Sequence, residues 1–330
     1  MAQVPQSAAP PGRPKGIAGY AAAFVELVKF EHSIFALPYA YIGAIYGAVA
    51  VASGIHPYVG VANPGWIRSA AFPLVFVSGW PTVPAILWIT VAMVGARAVA
   101  FAINRAVDKE IDARNPRTAG RALPAGLVKA WELWAFAIAM AVVYIFAVYQ
   151  LAPVVRWLWP IPLALFLVYP YLKRYTPLAH YWLGICLGLA PVGGWLAVGA
   201  PASAWQPWVF GAAVAIWTAG FDIIYATQDV ECDVRDGLHS MPADFGMGPA
   251  LLQTKIDHAL TIVAFVVAGV GVGAGWPYFV SIAVAAALLA WENAIVKPDD
   301  LSRVNAAFFV VNGCIALVIM AGVLADRLIR

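Results

Sequence analysis

The chain has 330 residues, 63% of them hydrophobic and only 11% charged, where soluble proteins carry roughly 25% charged residues. So few charges cannot cover a soluble surface of this size, and the chain must use lipid as its solvent. Disorder, a disulfide scaffold and nucleic-acid binding are excluded at the same step: the net charge is +3, and Cys186, Cys232 and Cys314 are too scattered for a framework or a zinc site.

Residues 1–23 are rich in Pro and small residues and read as a flexible tail, not a cleaved signal peptide. Residues 24–330 read as one transmembrane domain. A spanning helix needs about 20 mostly apolar residues, so uncharged intervals set the spans. In chain order they predict helices over 24–52, 83–107, 131–152, 156–173, 178–198, 206–228, 254–272, 276–293 and 303–326. Two long uncharged intervals are each divided by a breaker, at Gly199–Ser203 and at Gly271–Pro277. Residues 53–82 hold too much Gly and Pro for a spanning helix and read as a long outer loop, with room for a short interfacial helix. The expected class is an all-α integral membrane protein.

The basic residues orient it. An odd number of spans leaves Arg68, Arg156, Arg327 and Arg330 on one side and the remaining Lys and Arg, of 20 in all, on the other. Positive charge marks the cytoplasmic side. The N-terminus is therefore expected inside and the C-terminus outside.

Acidic residues concentrate in two windows, 104–112 and 222–244, at helix ends on the cytoplasmic side. In the first, Asn104, Asp108 and Asp112 recur every fourth residue and form one polar stripe on a helix. In the second, Asp229 and Asp233 return to within about 20° of Asp222, if the helix continues. Solvated loop charges are the plain reading, and it explains the pattern poorly. Asp222 follows a long uncharged run inside a span, where a carboxylate costs several kcal/mol unless it faces a cavity or a partner. Facing carboxylates repel unless a cation sits between them. All-oxygen ligand sets suit Mg²⁺, commonly bound through one or two carboxylates plus substrate phosphates.

Cations are interleaved with these acids. Arg97 lies seven residues before Asn104 on the same stripe; an arginine snorkelling to the interface is its plain alternative. Tyr169 and Lys173 share one face at the end of the fourth span, beside Arg174, with a simple basic anchor as the alternative for Lys173. Arg235 follows the second stripe, poised either over phosphate oxygens or in a loop salt bridge.

The two windows continue as recognisable motifs. Asn104, Asp108 and Asp112 are followed by Asn115, Pro116, Arg117, Thr118, Arg121 and Pro124; the second is Asp222, Tyr225, Asp229 and Asp233, then a run from Gly237 to Gly246. In this the chain resembles the membrane-intrinsic aromatic prenyltransferases of the UbiA superfamily, from about Glu26 to the last helix. One departure is Asp244, where family members often carry Arg. The stretches Phe30–Pro38 and Tyr169–Thr176 are similar to the 4-hydroxybenzoate polyprenyltransferase branch, and menaquinone-pathway relatives share them closely.

The resemblance implies nine helices around a central cavity and a tunnel for the prenyl chain open to lipid. It implies Mg²⁺ and diphosphate held by Asn104, Asp108, Asp112, Asp222, Asp229 and Asp233, with Arg97, Arg117, Arg121, Tyr169, Lys173 and Arg235 binding substrate. Asp108, Asp229, Arg97 and Tyr225 are the expected catalytic residues. The substrates implied are a polyprenyl diphosphate and an aromatic acid, with the site on the cytoplasmic face of the cell membrane. Neutralising the diphosphate lets the allylic C–O bond ionise, and a dry pocket protects the cation from water. The acceptor ring then attacks ortho to its hydroxyl and loses a proton. An arginine is the natural partner for the acceptor's carboxylate, so Arg97 serves either that group or the diphosphate. His32, beside Glu31 in the first span, either lines the cavity or packs between helices.

Two rivals are weighed. Asp233, Asp236 and Gly237 match the start of the CDP-alcohol phosphotransferase motif, which then breaks off. A cation transporter also uses intramembrane acids, but would more typically place them near mid-bilayer. Clustering at one face with basic residues interleaved favours the transferase.

Overall fold

The computed structural model describes residues 35–53, 76–77 and 79–330. The N-terminal tail, the first part of the first predicted span with Glu31 and His32, and most of the 53–82 loop lie outside the described residues.

Apart from connecting loops and a two-stranded hairpin, the described chain is helical. Helix α1 (Leu37–Ala52) is followed by β1 (Phe76–Val77) and β2 (Trp80–Pro81), antiparallel neighbours joined through Gly79 at φ 77°. Then come α2 (Val83–Val107), α3 (Lys109–Arg114), α4 (Ala130–Tyr149), α5 (Val155–Leu158), α6 (Pro160–Leu172), α7 (Ala179–Ala197) and α8 (Gln206–Ala226). The chain closes with α9 (Val230–Asp236), α10 (Met241–Phe245), α11 (Met247–Gly271), α12 (Trp276–Ile295), a π-helical turn (Ala306–Val311) and α13 (Asn312–Ile329).

Local chemistry explains the boundaries. Thr82 caps α2 by accepting the Ala85 N–H at 3.3 Å, and Pro84 sits in its first turn, where no donor is lost. α2 ends at Asp108, whose φ and ψ of −91° and 8° leave the helical region before α3 resumes. The fourth predicted span is divided: α5 and α6 meet at Trp159–Pro160, because a proline cannot donate into the preceding turn. Proline also opens α12, as Pro277 directly after Trp276.

Among the described residues seven helical segments are long and apolar enough to cross a membrane: 83–107, 130–149, 155–172, 206–226, 247–271, 276–295 and 306–329. At 1.5 Å per residue the 25-residue α2 and α11 run about 37 Å, more than the ~30 Å hydrocarbon core. The shorter apolar α1 and the 19-residue α7 stand beside them. Their outer faces stay apolar: Trp131, Ile138, Val142 and Phe146 of α4 and Val263 and Val270 of α11 are exposed. Lipid, not water, is the solvent such a surface requires.

The interior is built from small residues and aromatic rings. α1 packs on α7 at Gly43 and Gly194, where an added Cβ would run into the backbone of Pro191 and Ala40. α7 lies along α8, and α8 along α11. Tyr39 stacks on Phe265 at 5.8 Å and meets the Trp217 ring edge-on at 5.3 Å, both preferred aromatic geometries. Two satellite clusters lie away from this core. Ala102, Leu123, Leu133 and Ala137 sit under the loop after α3, and Ile224, Leu251, Val296, Val304 and Ala307 sit beneath the α8–α9 turn. Each supports one of the acidic windows.

Candidate active site

The first window keeps its helical register. The Asp108 N–H bonds to the Asn104 carbonyl at 3.0 Å and the Asp112 N–H to the Asp108 carbonyl at 2.8 Å, so the fourfold spacing survives the break at Asp108. Asp108 and Asp112 are 2% and 5% exposed, and Asn104 is half-buried. The second window departs from the expected single stripe. α8 stops at Ala226, and turn residues 227–229 separate Asp222 from the short α9 that begins after Asp229. The helix does not continue, so Asp222 no longer shares a column with Asp229 and Asp233.

Instead, each acid has its own partner. Lys173, at the end of α6, donates to Asp108 Oδ2 at 2.5 Å, and Arg174 reaches Asp108 Oδ1 at 3.4 Å. Arg121 donates to Asp112 Oδ1 at 2.7 Å, with Arg105 at 3.7 Å from Oδ2. Asp229 receives Arg117 through two guanidinium nitrogens and Asn115 Nδ2 at 2.8 Å. Ser240 donates to Asp233 at 2.9 Å, and Asp222 is paired with His180 Nδ1 at 2.7 Å.

The loop after α3 joins the two windows. Asn115 Oδ1 accepts the Arg117 N–H at 2.9 Å, and the Thr118 hydroxyl donates to the Asp112 carbonyl at 2.9 Å. This Asn-Pro turn aims Arg117 across at Asp229. Arg117 also donates to Tyr225 Oη at 2.9 Å and lies 5.0 Å from that ring's centre, within cation–π range. Phe308 packs on the same ring, centroids 4.2 Å apart. Tyr169 lies within electrostatic reach of Asp222 and Asp108.

Burial and these partners pull the ionisations in opposite directions. Desolvation raises the Asp108 pKa above its ordinary value, although Lys173 and Arg174 act to lower it. Asp233 is raised by burial against the bond from Ser240. For Arg117 burial disfavours the charge, but the bond and charge of Asp229 outweigh it and its pKa is raised.

Two predicted residues stand apart. Arg235 makes the loop salt bridge, with Asp236 at 3.1 Å, and donates to the Arg114 carbonyl, also at 3.1 Å. Arg97 has no acidic partner among the described residues. It lies over the Phe101 ring at 4.7 Å and lines a small cleft with Ala36, Leu37, Met93 and Val94, its buried Nε making no hydrogen bond. Asn115, Arg105, Ser240 and His180 were missed as contributors. The Asn-Pro pair marks Asn115 as a turn former; Arg105 and Ser240 each lie seven residues from the aspartate they meet, whereas His180 reaches Asp222 from 42 residues away.

Among the described residues no three His, Cys, Asp or Glu side chains converge as a ready metal cage. The residues nonetheless suit a hard cation that arrives with phosphate, since such a site draws only one or two carboxylates from the protein. The donors are all oxygen, and the buried Asp112 Oδ2 has no hydrogen-bond partner among the described residues.

The fold and this site define a multi-pass membrane protein with two facing acidic motifs, each matched by basic side chains at one end of the helices. The family model for the UbiA prenyltransferase family matches residues 67–313, and the chain belongs to that family. It is a prenyltransferase. It is similar to a 4-hydroxybenzoate octaprenyltransferase from Cupriavidus necator, 30% identical over 235 residues covering 70% of this chain and 81% of that one. A protein of the same description from Pseudomonas fluorescens is 32% identical over 259 residues, 76% of this chain and 84% of that one. Among solved structures, an apo UbiA homologue from Aeropyrum pernix K1 superposes with a TM-score of 0.74 at 32% identity, covering 91% of this chain and 99% of that chain. The fold of an Archaeoglobus fulgidus UbiA homologue bound to DMAPP and Mg²⁺ is also shared, with a TM-score of 0.64 at 18% identity over 93% of this chain and 100% of that chain.

Proposed function

We propose that residues 24–330 form one domain that transfers a polyprenyl group from polyprenyl diphosphate to the ring of 4-hydroxybenzoate, as a step toward a quinone. The observation that carries this reading is the bridge between motifs, in which Asn115 and Arg117 of the first bind Asp229 of the second. The relatives described as 4-hydroxybenzoate octaprenyltransferases support the acceptor and the polyprenyl donor. The protein spans the cell membrane nine times, N-terminus inside and C-terminus outside, with the site facing the cytoplasm. The bias of Lys and Arg to that side supports the orientation.

Asn104, Asp108, Asp112, Asp222, Asp229 and Asp233 would hold Mg²⁺ together with the diphosphate. Mg²⁺ when bound supplies the charge that makes diphosphate a leaving group. Lys173, Arg117 and Arg121 lie on these carboxylates. On binding they turn to the phosphate oxygens, exchanging one anion for another without exposing charge. Tyr169 lies within electrostatic reach of Asp222 and Asp108, and Tyr225 with Phe308 offers aromatic faces to an allylic cation.

Arg97 takes the acceptor's carboxylate. Its buried Nε, unpartnered among the described residues, and its place beside the cleft support this role over diphosphate binding. Arg235 contributes to the site only by holding the α9 end. The test is product mass analysis with Mg²⁺ and geranyl diphosphate, offering 4-hydroxybenzoate, a dihydroxynaphthoate and homogentisate together. Prenylated 4-hydroxybenzoate with matching diphosphate release is expected. Product from another acceptor alone would overturn the acceptor assignment.

A further inference from the structure

His180 is the second residue of α7 and 6% exposed, in an otherwise apolar uncharged run. Its two ring nitrogens have different partners. Nδ1 lies 2.7 Å from Asp222 Oδ2, and Nε2 faces the backbone N–H of Met241 at 3.3 Å. An N–H can only donate, so Nε2 is the acceptor and carries no proton. The proton is then on Nδ1, directed at the Asp222 carboxylate, and the ring is neutral. Among the described residues Asp222 Oδ1 accepts no hydrogen bond, so one oxygen is held and the other is free to bind a cation.

Met241 belongs to a short segment that contacts the supports of three of the aspartates. Gly237, at φ 65°, turns the chain back after α9, and the Leu238 N–H bonds to the Asp233 carbonyl at 2.8 Å. The His239 N–H donates to the carbonyl of Lys173 at 2.7 Å, and the Lys173 side chain holds Asp108. Ser240 Oγ donates to Asp233 at 2.9 Å and accepts the Ala243 N–H, capping α10. Residues 237–241 therefore connect to Asp108 through Lys173, to Asp233 through Ser240 and to Asp222 through His180.

We propose that His180 is a positioning residue: its Nδ1–H fixes the Asp222 carboxylate, and its Nε2 locks that carboxylate to the 237–241 strap that joins both aspartate motifs. The inference rests on the reading of Asp222 as a ligand for the cation that accompanies diphosphate. Hydrogen bonds behind a ligand orient it and set its basicity, and their removal typically costs roughly 10–100-fold in metal affinity. His180 touches no substrate in this scheme.

The test uses the full chain in detergent with inorganic pyrophosphate, reading Mn²⁺ affinity by electron paramagnetic resonance. The amide N–H of Asn stands where Nδ1–H stands, whereas Gln reproduces the Nε2 position and loses the donor to Asp222. His180→Asn is expected to keep Mn²⁺ affinity within a few fold, while His180→Gln weakens it roughly 10–100-fold. Equal retention by both variants, or equal loss, overturns the proposal. Asp222→Asn is measured in parallel: if it leaves affinity unchanged, the site reading itself fails; if it alone weakens binding, only the role of His180 fails. Nitrogen-15 shifts of the wild-type ring give a readout independent of any variant's folding. Nδ1 protonated and Nε2 bare at neutral pH is expected, and the opposite tautomer overturns the proposal.

Discussion

Asp108 and Asp229 are the residues whose loss should matter most, since each is held by a cation that the substrate's phosphates would recruit. Asp108→Ala and Asp229→Ala are each expected to lower kcat by several orders of magnitude in a diphosphate-release assay. Losing one anchor removes several kcal/mol of charge stabilisation, and about 1.4 kcal/mol is tenfold in rate. The double variant should be little worse than either single one, because groups acting on one leaving group are non-additive. Glu110, exposed on α3 only two residues from Asp108, should be mild on replacement by Ala. A Glu110→Ala defect as severe as that of Asp108→Ala would return these acids to ordinary loop charges. The raised pKa of Asp108 makes a second prediction, for the metal-free protein. A carboxyl whose folded pKa exceeds its unfolded value contributes stability below the unfolded pKa, ~3.9, and loses it as pH rises through the folded value. Metal-free Asp108→Asn should therefore gain on wild type in Tm from pH 4 to pH 7. A Tm difference that does not move with pH, or moves the other way, contradicts the assignment of burial as the dominant cause.

At the level of elements, the π-helical turn Ala306–Val311 connects the core to the site. Its wide turn frees carbonyls, and Asn312 Nδ2 reaches those of Ala307 and Phe308 at 3.1 and 3.3 Å. The same Nδ2 donates to Glu292 Oε1, and Asn312 Oδ1 accepts from Trp217 Nε1, both at 2.8 Å. Asn312 and Glu292 are fully buried, and Phe308 in the turn packs against Tyr225. Asn312→Leu removes the partner of Trp217 Nε1 and of Glu292 Oε1, at about 1–3 kcal/mol for each buried group. It should lower the detergent Tm by several degrees and, by releasing Phe308 from Tyr225, raise the share of prenyl alcohol among products. A variant as stable as wild type with an unchanged product ratio would mean that the turn holds itself. Apolar helices were legible because lipid demands long uncharged runs, and seven described helical segments are long and apolar enough to span. The ends of α2 at Val107 and of α8 at Ala226 fall within two residues of the expected bounds, whereas the break at Trp159 inside the expected 156–173 span was not anticipated, although Pro160 supplies its cause.

For the whole molecule, sidedness is the open quantity with a direct measurement. In a cysteine-free background, replacing Cys186, Cys232 and Cys314, single cysteines at Glu110 and Lys297 should label only from the cytoplasmic side. One at Arg330 should label only from outside, and any other partition breaks the odd number of spans. Solvent class, apolar helices, charge bias and the family carried by the two aspartate motifs followed from the sequence alone. These properties depend on composition and short spacing, which act within one helix or against the bilayer and require no knowledge of neighbours. Pairings between distant residues were decided only by the tertiary structure: Arg117 with Asp229, Lys173 with Asp108, His180 with Asp222. So was the separation of Arg97 from the aspartates despite its place on their stripe. A stripe defines an angle around one helix axis; which group meets it is set by the packing of α6, α7 and the loop after α3, where buried charge must find its counter-charge or remain unpaired.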